Sequence, residues 1–175
     1  DIAYQFHGFL APKVKLTNVA HLPFVNTSAK GSSVALWRTY EKFFAKANEL
    51  PDVQVLGFFV GAPGPIFSMK YPINTMADLK GTKMYALPGV PARMFEAGGA
   101  GVVAAPAVRS HEIISGGTVD SFAGYSVMDA EAFKTLQYAK EVIDIPGHLT
   151  VPAFAFFMNK KKWAAIAPKD QEAIM

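Results

Sequence analysis

Apolar residues along the chain follow two patterns. Apolar runs predict buried strands, and apolar residues spaced three or four apart predict one face of a helix. Mostly apolar runs at 2–6 and 53–61 predict buried strands. Between them, Ser28 can cap a helix that extends to about Leu50, while residues 7–16 carry Gly8 and Pro12 and predict a loop. The predicted helix would place one apolar stripe on the core, made of Val34, Trp37, Tyr40, Phe44 and Ala47.

The segment Gly61–Pro65 interrupts this pattern, and the elements after it are shorter. Predicted strands follow at 66–71, 83–87, 102–105, 119–123, 141–145 and 153–158. Predicted helices follow at 75–81, 91–97, 108–115, 128–139, 161–166 and 168–175. This alternation of strands and helices is typical of an α/β fold, and we expect mostly parallel sheets.

Ligands of open α/β sheets bind beyond the carboxyl ends of the strands, where loops gather. In this chain those loops lie at 7–9, 61–65, 85–89, 105–107 and 124–126. They are the places where binding residues are expected.

Composition narrows the function classes. The chain has 175 residues, of which 51% are hydrophobic and 18% charged, so a substantial core is expected. The net charge of +3 is mild and scattered, and its longest basic run, Lys160–Lys162, fits the solvated start of a helix, so no nucleic-acid partner is expected. The absence of cysteine excludes disulfides and thiol catalysis.

The sequence lacks the common signatures of catalysis. It contains neither a G-x-S-x-G nucleophile turn nor a phosphate loop. The glycine-rich stretch Gly98–Gly101 is better interpreted as a helix stop followed by a turn than as a G-x-G-x-x-G motif. Its histidines are not spaced as metal ligands, since Ser115 stands where a second ligand after His111 would be. We therefore expect no enzyme, no metal and no cofactor.

Three residues are candidate ligand-binding groups by position alone. His7 lies at a strand's carboxyl end beside Gly8, where it either faces a ligand or is a satisfied loop histidine. Tyr125 follows Gly124 at a strand end, where a ring can line a pocket or belong to the core. Phe154 shares one strand face with Phe156, and core packing is the competing interpretation.

Several stretches together resemble the solute-binding proteins of tripartite ATP-independent periplasmic (TRAP) transporters. They are NTMADLKGTKM at 74–84, HEIISGGTVD at 111–120, and FMNK at 157–160 followed by Trp163 and APKDQ at 167–171. Residues 22–24 and 36–41 agree more weakly. The order and spacing of these stretches match along most of the chain.

The resemblance implies a two-lobed, periplasmic-binding-protein-like α/β fold, incomplete at both termini, with a ligand cleft between the lobes. One lobe would consist of residues 1–62 with 150–175 and the other of residues 63–149, with crossings near 62–65 and 147–150. It further implies a periplasmic protein that captures a small organic acid and presents it to the membrane permease of a TRAP transporter. Family members begin before Asp1 and continue past Met175.

One departure from the family pattern concerns charge. Tyr85 stands where the resemblance implies an arginine that clamps the ligand's carboxylate. We expect Tyr85 to face the cleft, and Arg109 to be the first replacement for the missing charge, ahead of Arg93 and Lys70. The alternative is that the ligand is not a simple carboxylate.

Two other functions remain open from sequence. The same fold could serve as a ligand-sensing domain without transport, or it could carry an enzyme site that the signatures above do not reveal.

Overall fold

The computed structural model describes residues 1–26 and 28–175. The strands of this part of the chain are β1 (Ile2–Phe6), β2 (Val53–Val60), β3 (Ile66–Ser68), β4 (Lys83–Ala86), β5 (Gly101–Ala104), β6 (Ser121–Ala123), β7 (Glu141–Ile143) and β8 (Ala153–Asn159). Its α-helices are α1 (His7–Leu10), α2 (Ala29–Thr39), α3 (Val90–Ala97), α4 (Ser110–Ser115), α5 (Val127–Ala132), α6 (Lys160–Ala164) and α7 (Pro168–Ile174). Short 3₁₀ turns lie at Thr17–His21, Ala45–Ala47, Met76–Leu79, Ala107–Arg109 and Leu136–Tyr138.

The strands form two sheets. The first has the order β1-β8-β2, and both of its pairs are antiparallel. The second has the order β5-β4-β6-β3-β7, and only the pairs that β4 makes with β5 and β6 are parallel. The expectation of mostly parallel sheets is therefore wrong.

The reason lies in how β3 reaches its sheet. Parallel neighbours need a crossover connection, usually a helix. β3 instead comes directly from the segment at 61–65, inserts between β6 and β7, and runs opposite to both. Alternating elements along the sequence do not reveal such an insertion.

The two segments that connect the sheets, residues 61–65 and 144–152, are hydrogen-bonded to each other. The Gly61 N–H donates to the Pro152 carbonyl at 2.7 Å, and the Gly64 N–H donates to the Thr150 carbonyl at 2.9 Å. The Thr150 hydroxyl donates a hydrogen bond to the Gly64 carbonyl at 2.9 Å. Strands on one side of these segments come from residues 2–60 and 153–159, and those on the other from 66–143. The lobe boundaries at 62/63 and 149/150 stay a prediction.

A Thr150→Val substitution should lower the free energy of unfolding by about 1 to 2 kcal/mol, because it removes the only hydroxyl donor seen on the buried Gly64 carbonyl among the described residues. Denaturant unfolding of the full-length protein measures the change. Thr118→Val, at an exposed position, is the matched control. Equal stability of both variants would contradict a structural role for this bond.

The core is divided among three clusters of buried side chains. One joins Phe6 of the first sheet to Phe67, Tyr85 and Phe122 of the second. Another fills the opposite face of the second sheet, around Met84. The third packs under the first sheet. The first cluster is the one that brings the two sheets together, and the candidate site lies beside it.

Local signals predicted several helix starts. The Ser28 hydroxyl accepts the Gly31 N–H at 3.1 Å at the start of α2. Thr75 and Asp78 form a capping box at the turn 76–79, as their spacing predicts. Lys160–Lys162 begin α6, which Asn159 caps.

Other local expectations were wrong. The predicted loop 7–16 begins with α1, and the helix predicted to Leu50 leaves α-geometry after Thr39, passes through a π turn at Tyr40–Phe44 and ends at Asn48 in a left-handed conformation. Of the predicted apolar stripe, Trp37 and Tyr40 pack against the core, whereas Val34 is exposed and the unpredicted Leu36 is buried. Lys134, with φ of 56°, ends the helical path predicted for 128–139.

In the part of the chain described, no helix is long and apolar enough to cross a membrane.

Candidate functional site

An aromatic cavity of about 230 Å³ lies between the first sheet and the loops at one end of the second. Its floor is buried, its rim is exposed, and its side walls are half-buried. The lining residues are Phe6, Leu87, Tyr125 and Pro152 in the floor, Tyr4 and Phe9 at the rim, and Ala107, Asp129, Phe133 and Phe154 in the walls.

Strand pairing explains the aromatic residues of the first sheet. Phe6 of β1 lies directly opposite Phe154 of β8, and Phe154 lies opposite Phe59 of β2. Cross-strand neighbours share a face, so their rings meet. The ring centroids of Phe6 and Phe154 are 5.9 Å apart, and those of Tyr4 and Phe154 are also 5.9 Å apart. Tyr4 and Phe6 share this face because side chains alternate along a strand.

The opposite wall depends on a turn after β6. Gly124 has φ of 113°, and a Cβ there would come within 3.0 Å of the Leu87 side chain. Glycine therefore permits both the turn and the close approach. The Tyr125 hydroxyl lies 3.2 Å from the buried Thr135 hydroxyl. Tyr125 thus offers its ring to the cavity and keeps its polar end inside the protein.

Asp129 is the only charged side chain among the described residues that line the aromatic cavity. It belongs to a capping box at the start of α5. Its Oδ2 accepts the Ser126 N–H at 3.1 Å and the Ser126 hydroxyl at 2.7 Å, while its own N–H donates to that hydroxyl at 3.2 Å. The cap fixes where the carboxylate stands.

Of the residues predicted from sequence, the structure brings Tyr125 and Phe154 together in the cavity wall. Tyr85 lies behind them. It is fully buried, its hydroxyl donates to the Ala105 carbonyl at 2.9 Å, and its ring centroid is 6.1 Å from that of Tyr125. Burial raises the pKa of the Tyr85 hydroxyl, which keeps it a donor. Tyr85 supports the cavity without lining it, and its contact with a ligand stays a prediction.

The predicted cations lie elsewhere in this conformation. Arg109 is exposed, and its guanidinium approaches the Glu112 carboxylate at 3.4 Å. Lys70 pairs with Asp120 at 2.6 Å, and Arg93 is exposed on α3. None is among the described residues of the cavity wall. A ligand role for Arg109 therefore also stays a prediction.

His7 is buried outside the aromatic cavity, beside His21. The two ring centroids are 5.7 Å apart, and the Phe58 ring packs 5.3 Å from His7. The Ala153 N–H donates to His21 Nε2 at 3.0 Å, whereas neither ring nitrogen of His7 has a hydrogen-bond partner among the described residues. Burial lowers the pKa of His7 to about 3 and that of His21 to about 4, so both rings are neutral at pH 7. Ligand contact by His7 stays a prediction.

Sequence reasoning missed several lining residues. The alternation of Tyr4 and Phe6 along one strand was a readable signal that both face the same side. The Ser126–Asp129 spacing was a readable capping box that would have fixed Asp129 at a helix start. Leu87 lies in the loop 85–89, where binding residues were expected, whereas Phe133 carried no comparable signal, because only the tertiary fold brings it there.

A second depression of about 380 Å³ lies on the other face of the second sheet. It is lined chiefly by aliphatic residues, including Ile73 and Leu149, and by Phe24 as its single aromatic ring among the described residues. The aromatic cavity is smaller, but rings from the first sheet and from the loops beside the second sheet line it together. That makes it the better candidate for specific binding.

Comparison with known proteins places the chain in a family. Residues 1–175 match the family described as bacterial extracellular solute-binding protein, family 7 (DctP). The chain belongs to this family. The resemblance to TRAP solute-binding proteins seen in the sequence is thereby confirmed.

Individual relatives agree with this assignment. The chain is 64% identical over 174 residues to a protein of Comamonas testosteroni named "Outer membrane transporter protein TsaT", covering 99% of this chain and 52% of that protein. A TRAP periplasmic solute-binding protein from Bordetella bronchiseptica, solved with (R)- and (S)-mandelate, is 30% identical with a TM-score of 0.92 over 99% of this chain and 55% of its own. A TRAP solute-binding protein from Rhodoferax ferrireducens, in complex with copurified benzoate, is 28% identical with a TM-score of 0.90 over 99% and 54%.

These family members share the fold of the chain, which confirms the predicted α/β, periplasmic-binding-protein-like class. The chain spans about half the length of these relatives. The family consists of solute-binding proteins, and the B. bronchiseptica relative is described as periplasmic.

Proposed function

We propose that this chain forms the ligand-binding part of an extracytoplasmic solute-binding protein that captures a small monocyclic aromatic carboxylic acid. The observation that carries the proposal is the aromatic cavity, in which rings from the first sheet and from the loops beside the second sheet surround a space of about 230 Å³. The protein would deliver this acid to the membrane permease of a TRAP transporter. It would bind its ligand without chemical change.

The size of the cavity suits one ring. An apolar cavity of about 150 Å³ in another protein accommodates benzene. The additional space here matches a carboxylate and one small substituent. Phe6 and Phe154 line it from the first sheet and Tyr125 from the loop after β6, which favours the edge-to-face and offset contacts that aromatic rings prefer.

The charge distribution predicts how such an acid would lie. No cation is found in the cavity wall, as far as the described residues go, and Asp129 would repel a carboxylate. The ring would therefore enter the buried floor, and the carboxylate would remain near the exposed rim formed by Tyr4 and Phe9. Water at the rim spares the anion most of the desolvation cost of a buried, unpaired charge.

Two relatives support the ligand class. The proteins from Bordetella bronchiseptica and Rhodoferax ferrireducens are described with mandelate and benzoate, which are monocyclic aromatic acids. Both share the fold over nearly the whole of this chain. Their ligands fit the aromatic cavity by size and chemistry.

Titration of the full-length protein with benzoate, mandelate and an aliphatic dicarboxylate such as succinate tests the proposal. Calorimetry should show binding of at least one aromatic acid in preference to the dicarboxylate, and bound acid should be recovered unchanged. Binding of the aliphatic acid alone, or conversion of the aromatic acid to a product, would contradict the proposal.

A Phe154→Leu substitution should weaken binding of the aromatic acid about threefold to tenfold. Leucine keeps an apolar side chain but loses the ring contact with a bound ring, which is worth on the order of 1 kcal/mol. Calorimetric dissociation constants measure the effect. Phe43→Leu, at an exposed position outside the cavity wall, is the control and should bind as the unaltered protein does.

A further inference from the structure

We infer that Asp129 makes the aromatic cavity selective for acids that carry a hydroxyl group on the ring, away from the ligand's carboxylate, because the Asp129 carboxylate accepts the hydroxyl proton of the ligand in a hydrogen bond. This inference rests on the proposed function and specifies the substrate class of the same site. It assigns Asp129 a role in specificity.

The position of the carboxylate is built into the fold. The capping box holds Oδ2 through two donors of Ser126, its N–H and its hydroxyl. An ionised carboxylate has about four acceptor sites on its two oxygens. Since Asp129 also lines the cavity, it has acceptor capacity left for a ligand.

The apolar wall around Asp129 makes ligand affinity depend strongly on whether its free acceptor sites are filled. The wall that contains Asp129 also contains the rings of Tyr125, Phe133 and Phe154. Phenylalanine has no hydrogen-bond donor, and the Tyr125 hydroxyl is paired with the Thr135 hydroxyl. A ring that enters the cavity displaces water from the carboxylate. A charged group that loses water without gaining a hydrogen bond is strongly destabilised.

A ligand hydroxyl reverses this effect. Hydrogen bonds to a charged acceptor are stronger than those between neutral groups, and each contributes about tenfold to a hundredfold in affinity. Benzoate has no donor for Asp129, whereas 3-hydroxybenzoate and 4-hydroxybenzoate have one. The cavity should therefore prefer the hydroxylated acids over benzoate.

The same carboxylate sets the position of the hydroxyl. Like charges repel, so the carboxylate of the ligand lies at the end of the cavity away from Asp129. A hydroxyl in the 3- or 4-position then lies across the ring from the ligand's carboxylate and can reach Asp129. A hydroxyl in the 2-position lies beside the ligand's carboxylate and cannot, so 2-hydroxybenzoate should bind no better than benzoate.

Calorimetry on the full-length protein at pH 7 tests this inference. Benzoate, the three hydroxybenzoates and 3-methoxybenzoate are titrated into the unaltered protein, Asp129→Asn and Glu131→Gln. We expect the better of 3- and 4-hydroxybenzoate to bind about tenfold to a hundredfold more tightly than benzoate in the unaltered protein. In Asp129→Asn this ratio should fall by about fivefold or more, because the amide oxygen accepts only a neutral hydrogen bond, which is weaker than one to a carboxylate. Glu131 is exposed on the same helix, so Glu131→Gln removes one carboxylate charge while preserving the preference.

The outcomes separate the inference from the proposed function. Equal affinities for benzoate and the hydroxylated acids, or a preference that is undiminished in Asp129→Asn, would overturn the role of Asp129 and leave an aromatic-acid receptor. No binding of any aromatic acid would overturn both.

The methoxy compound keeps the test decisive if Asp129→Asn is unfolded by circular dichroism. 3-Methoxybenzoate retains the substituent oxygen but has no proton to donate. If it binds the unaltered protein as tightly as 3-hydroxybenzoate when the latter is preferred over benzoate, the donor role of the hydroxyl is overturned. A loss of the preference supports the inference.

Discussion

Acidification from pH 7.5 to pH 5 is expected to lower the free energy of unfolding by about 4 kcal/mol through His7 and His21 alone. The two rings are buried beside each other, and burial holds their pKa values at about 3 and about 4, below the ordinary 6.5. In the unfolded chain they bind protons as the pH falls through 6.5, whereas the folded protein keeps them neutral. Stability is therefore fully present above pH 6.5 and is lost towards the folded pKa values.

The size of this effect is insensitive to the folded pKa values. At pH 5 both lie at least one unit below the solution pH, so each histidine costs about 2 kcal/mol, set by the distance from 6.5 to 5. Urea unfolding at a series of pH values measures the slope.

Substitutions identify the responsible residues. His7→Leu should reduce the slope between pH 6 and pH 5 by about half, because His7 has no hydrogen-bond partner to lose among the described residues. His111→Gln, which changes an exposed histidine, should keep the slope. An unchanged slope in His7→Leu would contradict the assignment.

A Gly8→Ala substitution is expected to destabilise the protein by about 3 kcal/mol or more. A Cβ on Gly8 would overlap the Phe6 ring and the Pro88 carbonyl oxygen. The Phe6 ring is confined by its neighbours, and the carbonyl belongs to the backbone, so neither moves without a shift of the chain. Overpacking of this kind costs 1 to 3 kcal/mol and occasionally more.

Denaturant unfolding and ligand titration together measure this result. Gly57→Ala is the matched control, since a Cβ there would meet nothing within 4 Å. Gly8 lies in α1, just after β1, and Pro88 lies just after β4, so the strain can also be relieved if the two segments separate. In that case the loss of stability is smaller and the aromatic acid binds more weakly. Unaltered stability together with unaltered affinity would show that the close approach at Gly8 is unimportant.

Local chemistry accounts for the part of the fold that the sequence predicted. The β1 strand, the caps at Ser28 and Thr75 and the helix start at Lys160 depend on residues that are neighbours in the chain. The direction of β3 depends instead on its insertion between β6 and β7, which no local pattern records. Family resemblance supplied the two-lobed fold that periodicity alone left open.

In the candidate site, too, some positions follow from the local sequence and others only from tertiary packing. Tyr125 and Phe154 could be proposed from their place at a strand end and on a strand face. Tyr85 was expected at the cleft by analogy with an arginine, yet a tyrosine can bury its ring and satisfy its hydroxyl with one carbonyl, as Tyr85 does with that of Ala105. The tertiary position of such a residue depends on packing that its neighbours in sequence do not reveal.

The strand order of the first sheet has a consequence for synthesis and folding. β8 lies between β1 and β2, so neither of these strands has its partner until the chain has reached residue 159. About 150 residues separate Phe6 from its partner Phe154 in the sequence. At ordinary rates of translation, the synthesis of this stretch takes roughly 10 to 30 s. The strands of the second sheet come from the contiguous stretch 66–143, so that sheet can form first. Until then β1 and β2 have no partner strand among the described residues, and unpaired apolar edges of this kind favour aggregation.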